Sequence, residues 1–226
     1  MTRTLVSFVI PVLNEQERVA GLLRNLQRQF PASELIVVDG GSRDQTVAAA
    51  MAHCSQLLVG ERGRARQMNL GGRAASGDYL CFLHADSTPG VSAAQLASRL
   101  AGQPMWGFCR VQLSSSRPVF RVIEWFMNLR SRATAIGTGD QMLFVRRDLF
   151  EQSGGFDCIP LMEDVAICKR LRRLGRPVII EQPVVASSRR WEERGVARTV
   201  LDMWWLRLAY VAGVSPQRLW QHYYGR

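Results

Sequence analysis

Two apolar runs in this chain each end in a carboxylate. Leu80-Cys81-Phe82-Leu83-His84-Ala85 leads into Asp86, and Leu35-Ile36-Val37-Val38 leads into Asp39, with Gly40, Gly41, Ser42 and Asp44 after it. Short apolar runs bounded by turn residues read as buried strands, and open α/β sheets bind ligands beyond the carboxyl ends of their strands. Two acids delivered to one rim suit a divalent cation and a nucleotide. Hard cations take oxygen ligands and keep waters and substrate phosphates in their shell, so one strand-end carboxylate suffices. His84, two residues before Asp86, shares its face of an extended strand and is either packed or a ligand.

Three further segments carry polar groups where chemistry is possible. Pro11-Val12-Leu13-Asn14-Glu15 follows the first strand-like run. Asn14 read alone is a turn residue or helix cap, but Asp39 ends the next strand, a neighbour in a right-handed βαβ unit, and together they can hydrogen-bond a base or ribose. A glycine turn with a Ser or Asp cap serves any strand-to-helix loop; the acid before Gly40 is the part such a loop does not need. Gly63-Arg64-Ala65-Arg66-Gln67-Met68-Asn69 opens a helix with arginines and backbone donors, a cradle for a diphosphate. Glu163 and Asp164 begin a helix after Gly154, Gly155 and Pro160, where acids either cap the helix and favour its dipole or act as a base.

The elements that must position these groups alternate. Residues 7–12 read as a strand, 15–30 as a helix with Val19, Leu22, Leu23 and Leu26 on one face, 35–38 as a strand, 44–52 as a helix and 57–59 as a strand. A helix through Asn69 and Ala75 stops at Gly77, and the Asp86 strand follows, with residues 87–90 as a turn. Such alternation specifies an α/β fold with a largely parallel sheet covered on both faces. Beyond residue 100 the spacing predicts strands over 106–114, 141–145 and 177–180, helices over 119–131 and Glu163–Leu174, and a helical tail over 196–224.

A chain of 226 residues that is 47% hydrophobic and 21% charged folds around a real core. One domain with two functional halves, 1–100 and 101–226, is expected. The net charge of +10 is almost all arginine, Lys169 being the sole lysine, which admits anionic substrates, nucleic acid or an anionic membrane as partners. Nucleic-acid modules concentrate basic and aromatic residues on one surface; here the arginines are dispersed and acids occupy the strand ends, so no nucleic acid is expected. Five cysteines without a C-x-x-C pair argue against disulfides and zinc and for a reduced, cytoplasmic setting. No secretory leader is evident. The apolar stretch 200–214 contains Asp202 and Arg207 and is too short and too charged to span a bilayer. The tail 196–226 either lies peripherally on an anionic membrane face or packs into the core; the core is the expectation for Trp204, Trp205, Leu208 and Val211.

Taken together, Pro11-Val-Leu-Asn14-Glu15, Val38-Asp39-Gly40-Gly-Ser42-Arg-Asp44, Gly63-Arg64-Ala-Arg66-Gln67-Met-Asn69, His84-Ala85-Asp86 and Glu163-Asp164 resemble the family 2 glycosyltransferases over about residues 5–185. Within them the chain is most similar to a small bacterial subgroup associated with arsenosugar biosynthesis. The resemblance implies a GT-A (Rossmann-like) fold, a nucleotide-sugar donor, a divalent cation (magnesium or manganese) and inverting transfer of a single sugar to a small-molecule or lipid-linked acceptor. It implies that residues 1–100 form the donor half and 101–226 the acceptor half. It places Asn14, Glu15 and Asp39 at the nucleoside with Asp44 supporting their loop, and Arg64, Gln67 and Asn69 near the donor. Pro11, Gly40, His84 and Ala85 complete the donor-binding set. The resemblance makes Asp86 the expected metal ligand and Asp164, with Glu163 second, the expected general base. His84 stands where the D-x-D motif of the family has its first acid, and Arg189-Arg190-Trp191 lacks the glutamine of the processive polymerases. The alternative on the same type of fold, nucleotidyl transfer, calls for a Gly-rich, basic loop where this chain has Asn14-Glu15.

Overall fold

The computed structural model describes residues 5–225. Strand and helix alternate from the start: β1 (Val6–Val12), α1 (Val19–Gln29), β2 (Glu34–Asp39), α2 (Thr46–Met51), β3 (Gln56–Val59), α3 (Arg64–Ala74), β4 (Tyr79–Phe82), β5 (Ser87–Pro89) and α4 (Ala93–Leu100). There follow β6 (Trp106–Leu113), α5 (Pro118–Thr134), β7 (Leu143–Arg146), α6 (Arg147–Gln152), α7 (Glu163–Leu174), β8 (Val178–Ala186), α8 (Arg189–Arg194), α9 (Val196–Val211) and α10 (Pro216–Tyr224). All strands join one sheet in the order β3-β2-β1-β4-β7-β6-β8-β5. The first four strands of that order that precede residue 85 run parallel, β7 is antiparallel to β4 and β6, β8 is parallel to β6, and β5 is antiparallel to β8.

β1 sits between β2 and β4 and is buried along its whole length. Its alternate side chains serve two layers, as a strand's pleat dictates. Phe8, Ile10 and Val12 join Leu22, Leu23 and Leu26 of α1 and Leu96 and Leu100 of α4, while Val9 joins Met68 of α3 and Ile167 and Leu171 of α7 on the other face. The expected α/β class, a mainly parallel sheet covered on both faces, is therefore present. From β1 the chain winds outward to β2 and β3, then returns to the other side of β1 as β4. That reversal opens a crevice at the carboxyl ends of β1 and β4, the place where open α/β sheets hold ligands.

Three local expectations change. The β4 ladder ends at Phe82, so Asp86 stands beyond the strand, in a segment that stays buried at Leu83 and Ala85. Residues 87–89 form β5 instead of a turn, because β8 runs on to Ala186 and offers them a partner, Ser87 facing Ala186. The tail is helical and packs by one face, burying Thr199, Leu206 and Leu219, but the four residues expected in the core, Trp204, Trp205, Leu208 and Val211, are all exposed.

Glycine at 71 lets α3 lie directly on the sheet. A Cβ there would come within 2.4 Å of a Val9 methyl and 2.9 Å of a Val38 methyl. Gly71→Ala is expected to cost about 1–3 kcal/mol through overpacking, whereas Gly21→Ala in α1, with nothing within 4 Å, should be neutral or stabilise by about 0.4–1 kcal/mol. Urea unfolding of both variants checks the pair; equal effects would show that α3 does not need this close seat.

Candidate active site

Two strand-end loops build one wall. After β1 the backbone turns at Asn14, whose φ of 55° is left-handed, a conformation asparagine tolerates. Its side-chain oxygen accepts the Arg43 N–H at 2.9 Å, and its own N–H donates to the Ser42 hydroxyl at 2.9 Å. Glu15 N–H donates to Thr46 Oγ1 at 2.7 Å. Asp44 accepts the Thr46 hydroxyl at 2.5 Å and the Gln16 N–H at 3.3 Å; the Thr46 bond, acting against desolvation, lowers its pKa. Asp39 is turned into its own loop, accepting the Gly41 and Ser42 N–H groups and the Ser42 hydroxyl. Gln67 reaches from α3 to donate to the carbonyls of Val12 at 2.9 Å and Val38 at 2.8 Å, and Gly40 leaves the room its carboxamide needs.

Beyond this wall lies a cavity of about 880 Å³, a size that accommodates a nucleotide-sized ligand. Pro11, Glu15, Arg64, Gln67, His84, Ala85 and Asp86 line it, together with Arg190, Trp220 and Tyr224. A second cavity of about 210 Å³ shares Arg64, His84, Asp86, Leu161, Arg190 and Tyr224 with the first, and adds Asp140, Glu163 and Asp164. A third, of about 240 Å³, meets Asn14, Glu15 and Asp44. Of the residues singled out from the sequence, Asp39, Gly40 and Asn69 line none of the three. Asn69 instead grips the loop before α7, donating to the Phe156 carbonyl and accepting the Phe156 N–H, both at 2.8 Å.

The paired acids at the start of α7 differ in environment. Asp164 is fixed by the N–H groups of Gly139 at 3.0 Å and Val165 at 2.7 Å. Glu163 is buried and lies 4.0 Å from Arg64. Burial, then the neighbouring Asp164, push its pKa up to about 7, against the pull of Arg64. Desolvation works against the charge of Arg64, but Glu163, Tyr224, Asp164 and Asp86 outweigh it and raise its pKa. Sequence reasoning missed Asp140, Arg190, Trp220 and Tyr224. Asp140 had a signal, an acid closing the turn Gly137-Thr138-Gly139; the others reach the cavities only through the tertiary fold. Burial, offset in part by the Thr138 hydroxyl, raises the pKa of Asp140.

Among the described residues no three His, Cys, Asp or Glu side chains converge into a metal cage. A cation shared with donor phosphates needs none. The exposed Asp86 carboxylate accepts one hydrogen bond among the described residues, from Ser87 Oγ at 3.3 Å, which leaves lone pairs for an ion. Burial, then Arg64 and Arg190, hold the His84 imidazole well below its ordinary pKa, which favours the neutral, ligating form. Asp86, with His84 beside it, fits a magnesium or manganese ion completed by phosphate oxygens and water.

Residues 7–95 match the family described as Glycosyl transferase family 2, a span that contains both strand-end loops, Arg64 and Asp86 but stops before Glu163 and Asp164. No curated protein matches the chain. Among solved structures, the mannosyltransferase PcManGT from Pyrobaculum calidifontis, in complex with GDP-Man and Mn2+, superposes with a TM-score of 0.65 at 25% identity, over 83% of this chain and 57% of that one. TarS 1–349 of S. aureus in complex with UDP superposes at 0.61 and 17% identity, over 80% and 60%, and its UDP-GlcNAc complex at 0.61 and 16%, over 81% and 58%. This chain spans about three fifths of the length of those chains. Its fold is the GT-A fold, and its first part carries the family 2 signature.

The Glu163 shift has a measurable sign. A carboxyl whose folded pKa is about 7 against an ordinary 4.5 contributes stability that is full below about pH 4.5 and lost as pH rises through about 7. Glu163→Gln does not titrate, so the variant should gain stability relative to wild type across that window. Thermal melts at stepped pH measure it; a constant difference between the two proteins would refute the assignment.

Proposed function

We propose that this chain is an inverting glycosyltransferase that moves one sugar from a nucleotide-sugar donor to an acceptor hydroxyl. The observation that carries the proposal is the pair of adjoining cavities: the larger lies at the switch point of a GT-A sheet, and the smaller, which shares Arg64 and Asp86 with it, holds Asp164. The donors named with the similar structures, GDP-Man for PcManGT and UDP-GlcNAc for TarS, support the donor class.

In this reading the first half, through α4, binds the donor and the second half binds the acceptor. The nucleoside lies along Pro11 and Glu15, beside the wall that Asn14, Asp39, Gly40, Asp44 and Gln67 hold in shape. Its diphosphate faces Arg64 and Arg190, which supply fixed positive charge where negative charge develops. With magnesium or manganese on Asp86, the charge on the departing diphosphate is neutralised. The anomeric carbon sits at the junction of the cavities, near His84. An acceptor hydroxyl enters from the smaller cavity, Asp164 takes its proton, and its oxygen attacks the anomeric carbon from the face opposite the departing nucleoside diphosphate, which inverts the centre. Asp164 suits that role better than Glu163, which is buried and retains its proton to higher pH. The nucleotidyl-transfer alternative has nothing in its favour here, because the loop after β1 carries Asn14 and Glu15 and no basic glycine-rich segment.

Two variants test the assignment. Asp164→Asn should lower turnover by about 10²- to 10⁴-fold while donor affinity, followed by calorimetry, stays close to wild type; wild-type turnover would remove Asp164 from the mechanism. Asp86→Asn should bind a nucleotide-sugar equally with and without added manganese, whereas the parent binds it more tightly with the ion. An unchanged manganese response in that variant would sink the metal assignment.

A further inference from the structure

Exposed large apolar side chains gather on two helices of the second half. On α5 these are Val119, Val122, Trp125, Phe126 and Leu129, 38–55% exposed, and on α9 Leu201, Trp204, Trp205, Leu208 and Val211, 46–75% exposed. In each helix they recur every three or four residues, which aligns them along the outer face. The inner faces share one cluster, where Phe120, Ile123 and Met127 of α5 meet Trp191 of α8 and Val200 and Met203 of α9. α10 packs beside α9, with the Trp205 and His222 rings 4.1 Å apart, and its Trp220 lines the larger cavity. Three of the six tryptophans, Trp125, Trp204 and Trp205, thus lie exposed on these stripes, although tryptophan is on average a well-buried residue. An exposed apolar surface of this extent marks an interaction site.

Charge identifies what covers it. Of the four arginines in residues 117–134, Arg117, Arg121 and Arg132 are exposed and Arg130 is turned inward; the one acid, Glu124, pairs with Arg121 and accepts the Leu113 N–H at 2.5 Å. Of the six arginines in residues 189–225, Arg190 lines both cavities and Arg207 the smaller one, while Arg189, Arg194, Arg198 and Arg218 are exposed alongside Glu192, Glu193 and the half-buried Asp202. The exposed arginines outnumber the exposed acids on these helices, which disfavours a second copy of this chain and favours an anionic lipid surface. Indole rings favour the boundary between headgroups and acyl chains. No helix among the described residues is long and apolar enough to cross a membrane, so contact is lateral.

We propose that the outer faces of α5 and α9, with α10 beside α9, dock on an anionic lipid bilayer, the aromatic and aliphatic side chains entering the headgroup boundary and the exposed arginines meeting lipid phosphates. The opposite side of α9 gives Met203, Leu206 and Arg207 to the smaller cavity, so docking sets that cavity beside the lipid. If the glycosyl-transfer reading holds, on which this clause rests, the acceptor is carried in the bilayer.

The test needs no transferase assay and so fails or succeeds independently of that reading. The full chain is sedimented with phosphatidylcholine vesicles with and without phosphatidylglycerol. Pelleting is expected with the anionic vesicles and should weaken with added salt. A Trp125→Glu, Phe126→Glu variant and a Leu201→Glu, Trp204→Glu variant should each reduce vesicle affinity by about tenfold or more, with circular dichroism and donor binding as in wild type. Serine in place of glutamate serves if a variant fails to fold. Equal pelleting of wild type and both variants would overturn the proposal, as would a dimer that these substitutions dissociate while vesicles bind nothing.

Discussion

Two adjacent parallel strands that end at a ligand site leave carbonyl groups without ladder partners, and a buried carbonyl without a donor costs about 1–3 kcal/mol. In this protein the Gly40 N–H meets the Val12 carbonyl at 3.0 Å, and one carboxamide adds a second donor there and another at Val38. Gln67, itself buried, donates to Val12 and Val38 at once and so ties the ends of β1 and β2 from behind. Its reach depends on how closely α3 lies on those strands, which Gly71 permits one turn later, and on the absence of a side chain at Gly40. Arg64, three residues before Gln67, projects from the same helix into both cavities. The seat of one helix therefore sets the shape of the wall beside the larger cavity and the position of the Arg64 guanidinium together.

That cation explains how a chain of charge +10 holds several acids in one crevice. Arg64 lies among Glu163, Asp164 and Asp86, and their fields more than offset its desolvation. Arg130 is pushed down to about 10 by burial and by Arg207, while Asp140 and Asp164 pull the other way. The arginines that the sequence disperses along the chain converge in space around the carboxylates. An incoming diphosphate would meet this positive field, and the surplus of arginine beyond the crevice is left to the outer surface.

The alternation of strand and helix over the first hundred residues was legible because β1, β2 and β4 are buried on both faces while α1 shows a one-sided apolar stripe, two patterns that hydrophobic spacing separates well. It failed at Asp86 for a physical reason: Leu83 and Ala85 remain buried after the ladder has ended, and apolarity reports burial, not pairing. α4 was overlooked although Ser92 and Gln95 form a capping box in which each side chain meets the other's N–H, the spacing that announces a helix start. The tail showed its helical period but not its orientation, since an apolar stripe looks alike whether a core or something outside the chain covers it. Of the site residues, the strand-end groups could be read from local pattern, whereas Arg190 and Tyr224 come to the cavities only because α8 and α10 fold back across the crevice.

The difference in environment between Glu163 and Asp164 follows from how α7 begins. Met162 sits at a left-handed φ of 70° without being glycine, a conformation that costs roughly 1–2 kcal/mol and persists only where its surroundings impose it. Asn69 supplies part of that constraint by clamping Phe156 six residues upstream. The sharp entry starts the helix with two consecutive acids, and neighbours on a helix with 3.6 residues per turn point about 100° apart. One of them must turn inward, where burial raises its pKa and Arg64 lies close, and the other is left at the cavity wall with its carboxylate aligned by Gly139 and Val165. A pair that local sequence could explain as mere helix capping thereby becomes one buried acid beside Arg64 and one carboxylate held by two backbone N–H groups.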